Sequence, residues 1–274
     1  INKSTDNFNT VTWSGDSTTP KNITGVGFTP DLIWGKSRNT AYNHKLYDSV
    51  RTFGNDKELS SSENTVEGGS NSNQYGYLSG TVSDGFTTTK GSDGGADGYG
   101  YWNESGRTYV AWNWKANGAG SANTDGSINT TATSVNTTAG FSICKYTGTG
   151  SAATVGHGLG VAPKMIIIKR TSVAAGDWVV YHESVGNNKA LFLNAINAPD
   201  TDSAYFNDTS PTSSVFSIGT SNGVNNSGSN YIAYCFAEKV GYSKFGSYTG
   251  NGNADGTFIY TGFKPAWIII KESS

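Results

Sequence analysis

Three imidazoles, His44, His157 and His182, are the only histidines in the chain, and acid–base catalysis would need one of them beside a nucleophile and an orienting acid. The sequence does not gather such a set. His182 falls opposite Asp48 when the two halves of the chain are compared. His157 lies in Gly156-His157-Gly158-Leu159-Gly160, whose counterparts at 23–27 and 258–262 carry no histidine. Residues exchanged so freely between copies of one fold read as surface variation rather than catalysis. Asp48 and Arg51, in Tyr47-Asp48-Ser49-Val50-Arg51, suit either a sugar clamp or a turn pair that holds a loop.

The richest chemistry is aromatic, with 7 Trp, 15 Tyr and 12 Phe in a chain of net charge −2. Aromatic faces stacked on sugar C–H faces, with Asn, Asp and Arg bonding the hydroxyls, hold neutral glycans without a charged surface. Trp34, Trp112, Trp114 and Trp267 lie in apolar runs and read as core. Tyr99, Tyr101, Trp102 and Asn103 stand instead in polar, Gly-rich surroundings and are the first candidates for carbohydrate binding, with an aromatic plug at the end of a sandwich as the alternative. Trp178, after Gly176-Asp177, is the next, and Asp48 and Arg51 complete the candidate set.

No cofactor is expected, calcium being the one ion with any motif. Asp93 and Asp97 in a Gly-rich loop, and Asn251-Gly252-Asn253-Ala254-Asp255-Gly256, present oxygens on a tightly turning backbone, as a hard cation requires. The first offers two carboxylates without a downstream Glu, and the equivalent of the second in the middle of the chain, Thr149 to Thr154, has none. Asx-Gly pairs are also ordinary hairpin turns. Two cysteines, Cys144 and Cys235, are too few for a zinc site built from spaced cysteine pairs, and leave open one bridge or two buried thiols.

The elements that must position these groups come from a repeat. An aromatic, Ser/Thr and Gly occur at Trp13-Ser14-Gly15, Tyr146-Thr147-Gly148 and Tyr248-Thr249-Gly250, and each aromatic is followed 17 positions later by a proline, at Pro30, Pro163 and Pro265. An apolar strand and a lysine follow each proline: Lys36, Lys169 and Lys271. Downstream, Leu46-Tyr47-Asp48 matches Val180-Tyr181-His182, Asp84-Gly85-Phe86-Thr87 matches Ser214-Val215-Phe216-Ser217, and Ser105 to Trp114 aligns with Ser227 to Phe236 without a gap.

The 274 residues, 36 of them Gly, thus read as all-β: tandem β-sandwich repeats of jelly-roll or lectin-like type. Repeat 1 covers 1–117, a Gly/Asn/Thr/Ser linker 118–139, repeat 2 140–240, and 241–274 the opening strands of a truncated third. Both alternating faces of Tyr109–Trp114 and Tyr231–Phe236 are apolar or small, which places these strands centrally, buried on both sides. The apolar stretch 257–271 is expected to be paired, because an exposed edge invites aggregation. Ile1 reads as the start of a fragment or a processed chain. The longest apolar runs are far shorter than the roughly 20 residues that cross a bilayer, so no membrane insertion is expected. Without a basic field, no nucleic acid partner is expected either.

Tyr109-Val110-Ala111-Trp112-Asn113-Trp114-Lys115-Ala116-Asn117-Gly118, Asp84-Gly85-Phe86-Thr87, Leu46–Arg51 and Gly156–Pro163 together resemble repeats of long tail-fibre and virion-surface proteins of marine and environmental bacteriophages. The resemblance spans nearly the whole chain and carries no catalytic residues. It implies an extracellular place on a virion surface, assembly as a homo-oligomer (a trimer or fibre), and contact with host-surface glycan or protein. The chain departs from the pattern at Arg51-Thr52-Phe53, where a glycine is expected after the arginine. The leading expectation is a non-enzymatic, lectin-like adhesion or fibre module of a phage that binds host carbohydrate. A polysaccharide lyase or hydrolase of tailspike type, and a purely structural fibre or capsid-decoration protein, are the alternatives.

Overall fold

The computed structural model describes residues 1, 3–173 and 176–273; Ser274, the end of the third repeat as read above, lies outside them. Seven strands form the first repeat: β1 (Phe8–Ser14), β2 (Lys21–Thr24), β3 (Leu32–Ser37), β4 (Lys45–Asp48), β5 (Tyr77–Val82), β6 (Gly85–Thr89) and β7 (Thr108–Trp114). They make a large sheet ordered β1-β7-β3-β4 and a small one ordered β2-β6-β5, both antiparallel. The second repeat contributes β8 (Ala132–Asn136), β9 (Phe141–Thr147), β10 (Ala153–Gly156), β11 (Met165–Arg170), β12 (Trp178–His182), β13 (Lys189–Phe192), β14 (Asp200–Thr201), β15 (Val215–Ile218) and β16 (Asn230–Phe236). Its large sheet runs β14-β13-β12-β11-β16-β9-β8, and β10 pairs with β15. The fold is all-β and of sandwich type.

The two repeats share one wiring. The last strand of each lies between the first and the third, β7 between β1 and β3 and β16 between β9 and β11. Pro30 and Pro163 stand at the same place, two residues before the third strand. The motif lysine of each of these two repeats turns back onto its own loop: Lys36 Nζ donates to Tyr42 O at 2.7 Å and the buried Lys169 Nζ to Gly176 O. Tyr109 and Tyr231 are likewise equivalent. Each hydroxyl donates to a carbonyl nine residues away, Gly100 O or Asn222 O, and accepts from a backbone N–H, that of Glu104 or Asn226.

Successive strand residues point to opposite faces, so each large sheet has two faces to cover. The inner faces cover each other. Leu32, Trp34, Leu46 and Trp114 pack with Ile143, Met165, Ile167, Ile232 and Phe236 in one central core. The outer faces meet the small sheets: Val11, Ile33 and Ala111 pack with Ile23, Leu78 and Phe86, and Tyr146, Ile166 and Ala233 with Val155, Phe216 and Ile218. The result is four stacked layers with three cores, and it accounts for the burial of both faces of β7 and β16. Helices are short, four residues at most among those described, and none is long and apolar enough to cross a membrane.

Two stretches depart from the sequence reading. The expected linker 118–139 forms β8 at the edge of the second large sheet and buries Ile128, which bridges to Val155. Its polar composition suits an edge strand, where one side stays open to water. Residues 241–273, expected to open a third sandwich and to be paired over 257–271, form no strand.

Candidate functional site

Trp102 does not face solvent. Only 1% exposed, it stacks parallel to Trp13 at 6.5 Å and meets Phe86 and Tyr47 edge-on in the outer core of the first repeat. Its ring lies against Gly35, where a Cβ would approach Cζ3 to 2.3 Å. Asn103 is also buried. Its Nδ2 donates to Thr18 O at 2.8 Å and to Asp16 Oδ1 at 2.9 Å, tying the chain after β1 to the chain before β7. Asn225 repeats the tie in the second repeat, donating to Ser151 O and accepting from Thr149 N. Both residues are fold-holding rather than sugar-facing, because no ring face or amide is left open to a ligand.

Asp48, Arg51 and Trp178 are corrected in the same way. Asp48 Oδ1 accepts from the N–H groups of Val50 and Arg51, closing the turn after β4, and Oδ2 takes Arg51 Nε at 2.6 Å. Arg51 also reaches Glu67 and the Lys57 carbonyl. Burial works against its charge, but the Asp48 carboxylate, with Glu67, overcomes this and raises the guanidinium's pKa further. Trp178 is fully buried in the central layer, and its Nε1 donates to Ser60 O of the first repeat at 2.8 Å. Tyr234, Arg51 and Asp48 stand within hydrogen-bond reach of one another's groups, but all three are closed to solvent. A substrate has no access there.

Tyr99 and Tyr101 remain half-exposed, and the fold adds Tyr42 and Tyr75 to them. Tyr101 stands edge-on to Tyr42 at 5.5 Å and to Tyr75 at 5.6 Å. The short helix Ser72–Tyr75 and the Gly-rich loop after β6 are laced together by Ser92 N to Asn73 O, Asp93 N to Gln74 O and Tyr101 N to Tyr75 O. Gly91 is required at this crossing, since a Cβ would lie 2.1 Å from Gln74 O. Below the rings, the buried Lys45 ammonium sits 4.1 Å from the Tyr101 centroid and donates to Ser70 O, which also accepts the Tyr101 hydroxyl. Burial pushes Lys45 down to about 8, and burial together with Glu63 and Glu58 pushes Tyr101 up to about 12. Around the rim, Lys90 stands 5.2 Å from the Tyr99 ring, Glu104 accepts from Tyr42 and pairs with Arg107, and Asp97 is exposed. Three uncharged rings in contact through Tyr101, with Tyr99 beside them in sequence, are thus bordered by donors and acceptors. Tyr42 and Tyr75 lie in polar surroundings far from Tyr99 and Tyr101 in sequence, and only the fold brings them to Tyr101.

The three histidines are engaged separately. Nδ1 accepts from Trp34 Nε1 in His44, from Leu159 N in His157 and from Ser184 N in His182. Each imidazole is thereby held neutral, and burial lowers all three pKa values, that of His44 to about 4. Among the described residues no group of three or more His, Cys, Asp or Glu is placed to hold a metal ion. In the Asn251–Gly256 loop the two asparagine side-chain oxygens turn onto the loop's own backbone, Asn251 Oδ1 on Asn253 N and Asn253 Oδ1 on Asp255 N. Cys144 and Cys235 are buried free thiols on neighbouring strands.

No curated protein and no solved structure matches the chain. A family model described as a domain of unknown function, DUF7483, matches residues 3–274, so this chain, with its repeat-built all-β sandwich, belongs to that family.

Proposed function

We propose that the protein is a non-enzymatic adhesion module of a fibre or virion surface that holds neutral carbohydrate on Tyr42, Tyr75, Tyr99 and Tyr101. The grouping of the half-exposed rings of Tyr42, Tyr75 and Tyr101, with the half-exposed Tyr99 two residues before Tyr101 in the same loop, carries the reading. Phenol faces suit sugar C–H faces, and the exposed Asp97 and the partly exposed Arg107 supply the hydroxyl partners that fix orientation. A net charge of −2 leaves a neutral polymer unopposed. The shared central core supports the mechanical half of the reading, since the two repeats are joined face to face through Trp34, Trp114, Ile167 and Phe236.

Glycan-array screening followed by titration calorimetry tests it. A neutral oligosaccharide is expected to bind, with Tyr99→Ala and Tyr75→Ala each weakening it about tenfold while leaving Tm unchanged; one stacking contact of about 1.4 kcal/mol corresponds to that factor. Absence of binding to every neutral glycan overturns the carbohydrate reading and leaves the structural one. Release of reducing or unsaturated sugar would instead establish an enzyme.

A further inference from the structure

The place that holds the tyrosine patch in the first repeat is hollow in the second. The patch gathers three elements: Tyr42 from the chain after β3, Tyr75 from a short helix, and Tyr99 and Tyr101 from the chain before β7. The same three elements meet in the second repeat. The chain after β11 brings Gly176 and Asp177, the short helix Ser203–Phe206 brings Tyr205, and the chain before β16 brings Ser221, Asn222 and Gly223. As in the first repeat, the helix is laced to the chain that passes it, with Gly219 N donating to Tyr205 O and Ser221 N to Ala204 O. A glycine is required at this crossing too, since a Cβ on Gly219 would lie 2.4 Å from Ala204 O.

The side chains differ where volume counts. The Tyr109-to-Tyr231 offset carries Tyr99 and Tyr101 onto Ser221 and Gly223. Two phenol side chains are thus replaced by a hydroxymethyl group and a hydrogen, and a cavity of about 150 Å³ opens beside them. Phe192 and Tyr205 wall it, edge-on to each other at 5.9 Å, and the Tyr205 hydroxyl is held by Asp200 Oδ2 at 3.0 Å. Arg170, Asp177 and Asn222 border it, and the exposure of Asp177 and Asn222 puts its mouth at the surface. Asn194 Nδ2 donates to Asp177 Oδ1 at 2.8 Å and orients that carboxylate. Asp177 Oδ2 and the Asn222 side chain make no hydrogen bond among the described residues.

We infer that this cavity is a second carbohydrate site, which takes one neutral hexopyranose unit. Its volume sets the size of the ligand: about 150 Å³ suffices for one six-membered ring and falls below the roughly 300 Å³ at which pockets for drug-sized ligands begin. Its lining sets the chemistry. Two aromatic walls suit the C–H faces of a sugar ring, and a carboxylate, a guanidinium and an amide suit hydroxyls, which donate and accept at once. An apolar ring would strip those polar groups of water and give no partner back. Burial, together with Asp200, Asp202 and Asp177, pushes the Tyr205 hydroxyl up to about 12, so the same surroundings oppose an anionic sugar, and Arg170 opposes a cationic one. The choice of a sugar rests on the carbohydrate reading of the tyrosine patch, whereas the cavity follows from the fold alone. Two sites on one chain would hold a repeating polymer more firmly than either by itself.

Chemical-shift titration of the whole 15N-labelled chain with the methyl glycosides of glucose, galactose, mannose and N-acetylglucosamine tests the second site. At least one glycoside should shift the amides of Asp177, Tyr205 and Asn222 saturably. Asn222→Ala and Asp177→Asn should each weaken that response at least threefold with Tm unchanged; the Asn222 side chain is exposed and ties nothing, so its variant keeps the fold. Shifts confined to Tyr42, Tyr75, Tyr99 and Tyr101 would overturn the second site and keep the carbohydrate reading. Shifts confined to the cavity would support the second site and count against the tyrosine patch. No saturable shift with any of the four glycosides, or a response that both variants leave intact, would overturn the second site.

Discussion

The hydroxyl of Tyr234, on the last strand of the second repeat, donates to Asp48 Oδ2 at 2.7 Å across the central layer. Asp48 thereby collects four donors, two backbone N–H groups, Arg51 and Tyr234, and is fully buried. Removing one donor leaves a buried carboxylate short of a partner. Tyr234→Phe should lower stability by about 1.5–3 kcal/mol, the range for hydrogen bonds to charged groups. Urea unfolding measures it, and a loss below about 0.5 kcal/mol, the size of an ordinary surface substitution, would remove the tie between repeats from the account.

Thr52, in the turn that Asp48 closes, adopts φ of 75°. A β-branched residue in the left-handed region costs about 1–2 kcal/mol. Glycine is the residue expected here from the repeat pattern, and Thr52→Gly should raise stability by about 0.5–1 kcal/mol after the greater freedom of glycine in the unfolded chain is subtracted. Calorimetry should show a higher Tm; a lower one would mean the turn rests on the threonine side chain.

Gly35 and Trp102 exchange volume with their counterparts. The Pro30-to-Pro163 offset carries Gly35 onto Ile168, and the Tyr109-to-Tyr231 offset carries Trp102 onto Val224; both of the latter belong to the outer core of the second repeat. Gly35→Ile alone should overpack against the indole and cost about 1–3 kcal/mol or more. Trp102→Val alone should leave a cavity and cost about 3–5 kcal/mol. The double variant should recover at least about 1 kcal/mol relative to the sum, read from a double-mutant cycle. Strict additivity would show that the two positions do not share space.

Acid should destabilise the protein through its histidines. Each Nδ1 accepts a hydrogen bond and each folded pKa lies below the unfolded value of about 6.5. Between that value and the His44 pKa of about 4, the unfolded chain binds more protons than the native one, so stability falls as pH falls through this window. His44→Gln should flatten the dependence of unfolding free energy on pH between 4 and 6.5. An unchanged slope would mean that His44 does not stay neutral in the fold.

The sequence by itself determined the strand inventory of the repeat. The aromatic-to-proline interval located the first and third strands of both repeats, and the alignment of Ser105–Trp114 with Ser227–Phe236 located the last, because strand formation and turn chemistry are written in neighbouring residues. It also placed both faces of β7 and β16 in apolar surroundings. Tertiary structure alone decided what lay across each face. Trp102, Asn103, Asp48, Arg51 and Trp178 are buried because a second sheet or a returning loop covers them, and such cover comes from residues far away, as from Ser60 to Trp178 Nε1. Residues 241–273 carry the repeat's motifs but form no strand, because a local preference for extended backbone becomes a sheet only against a non-local partner.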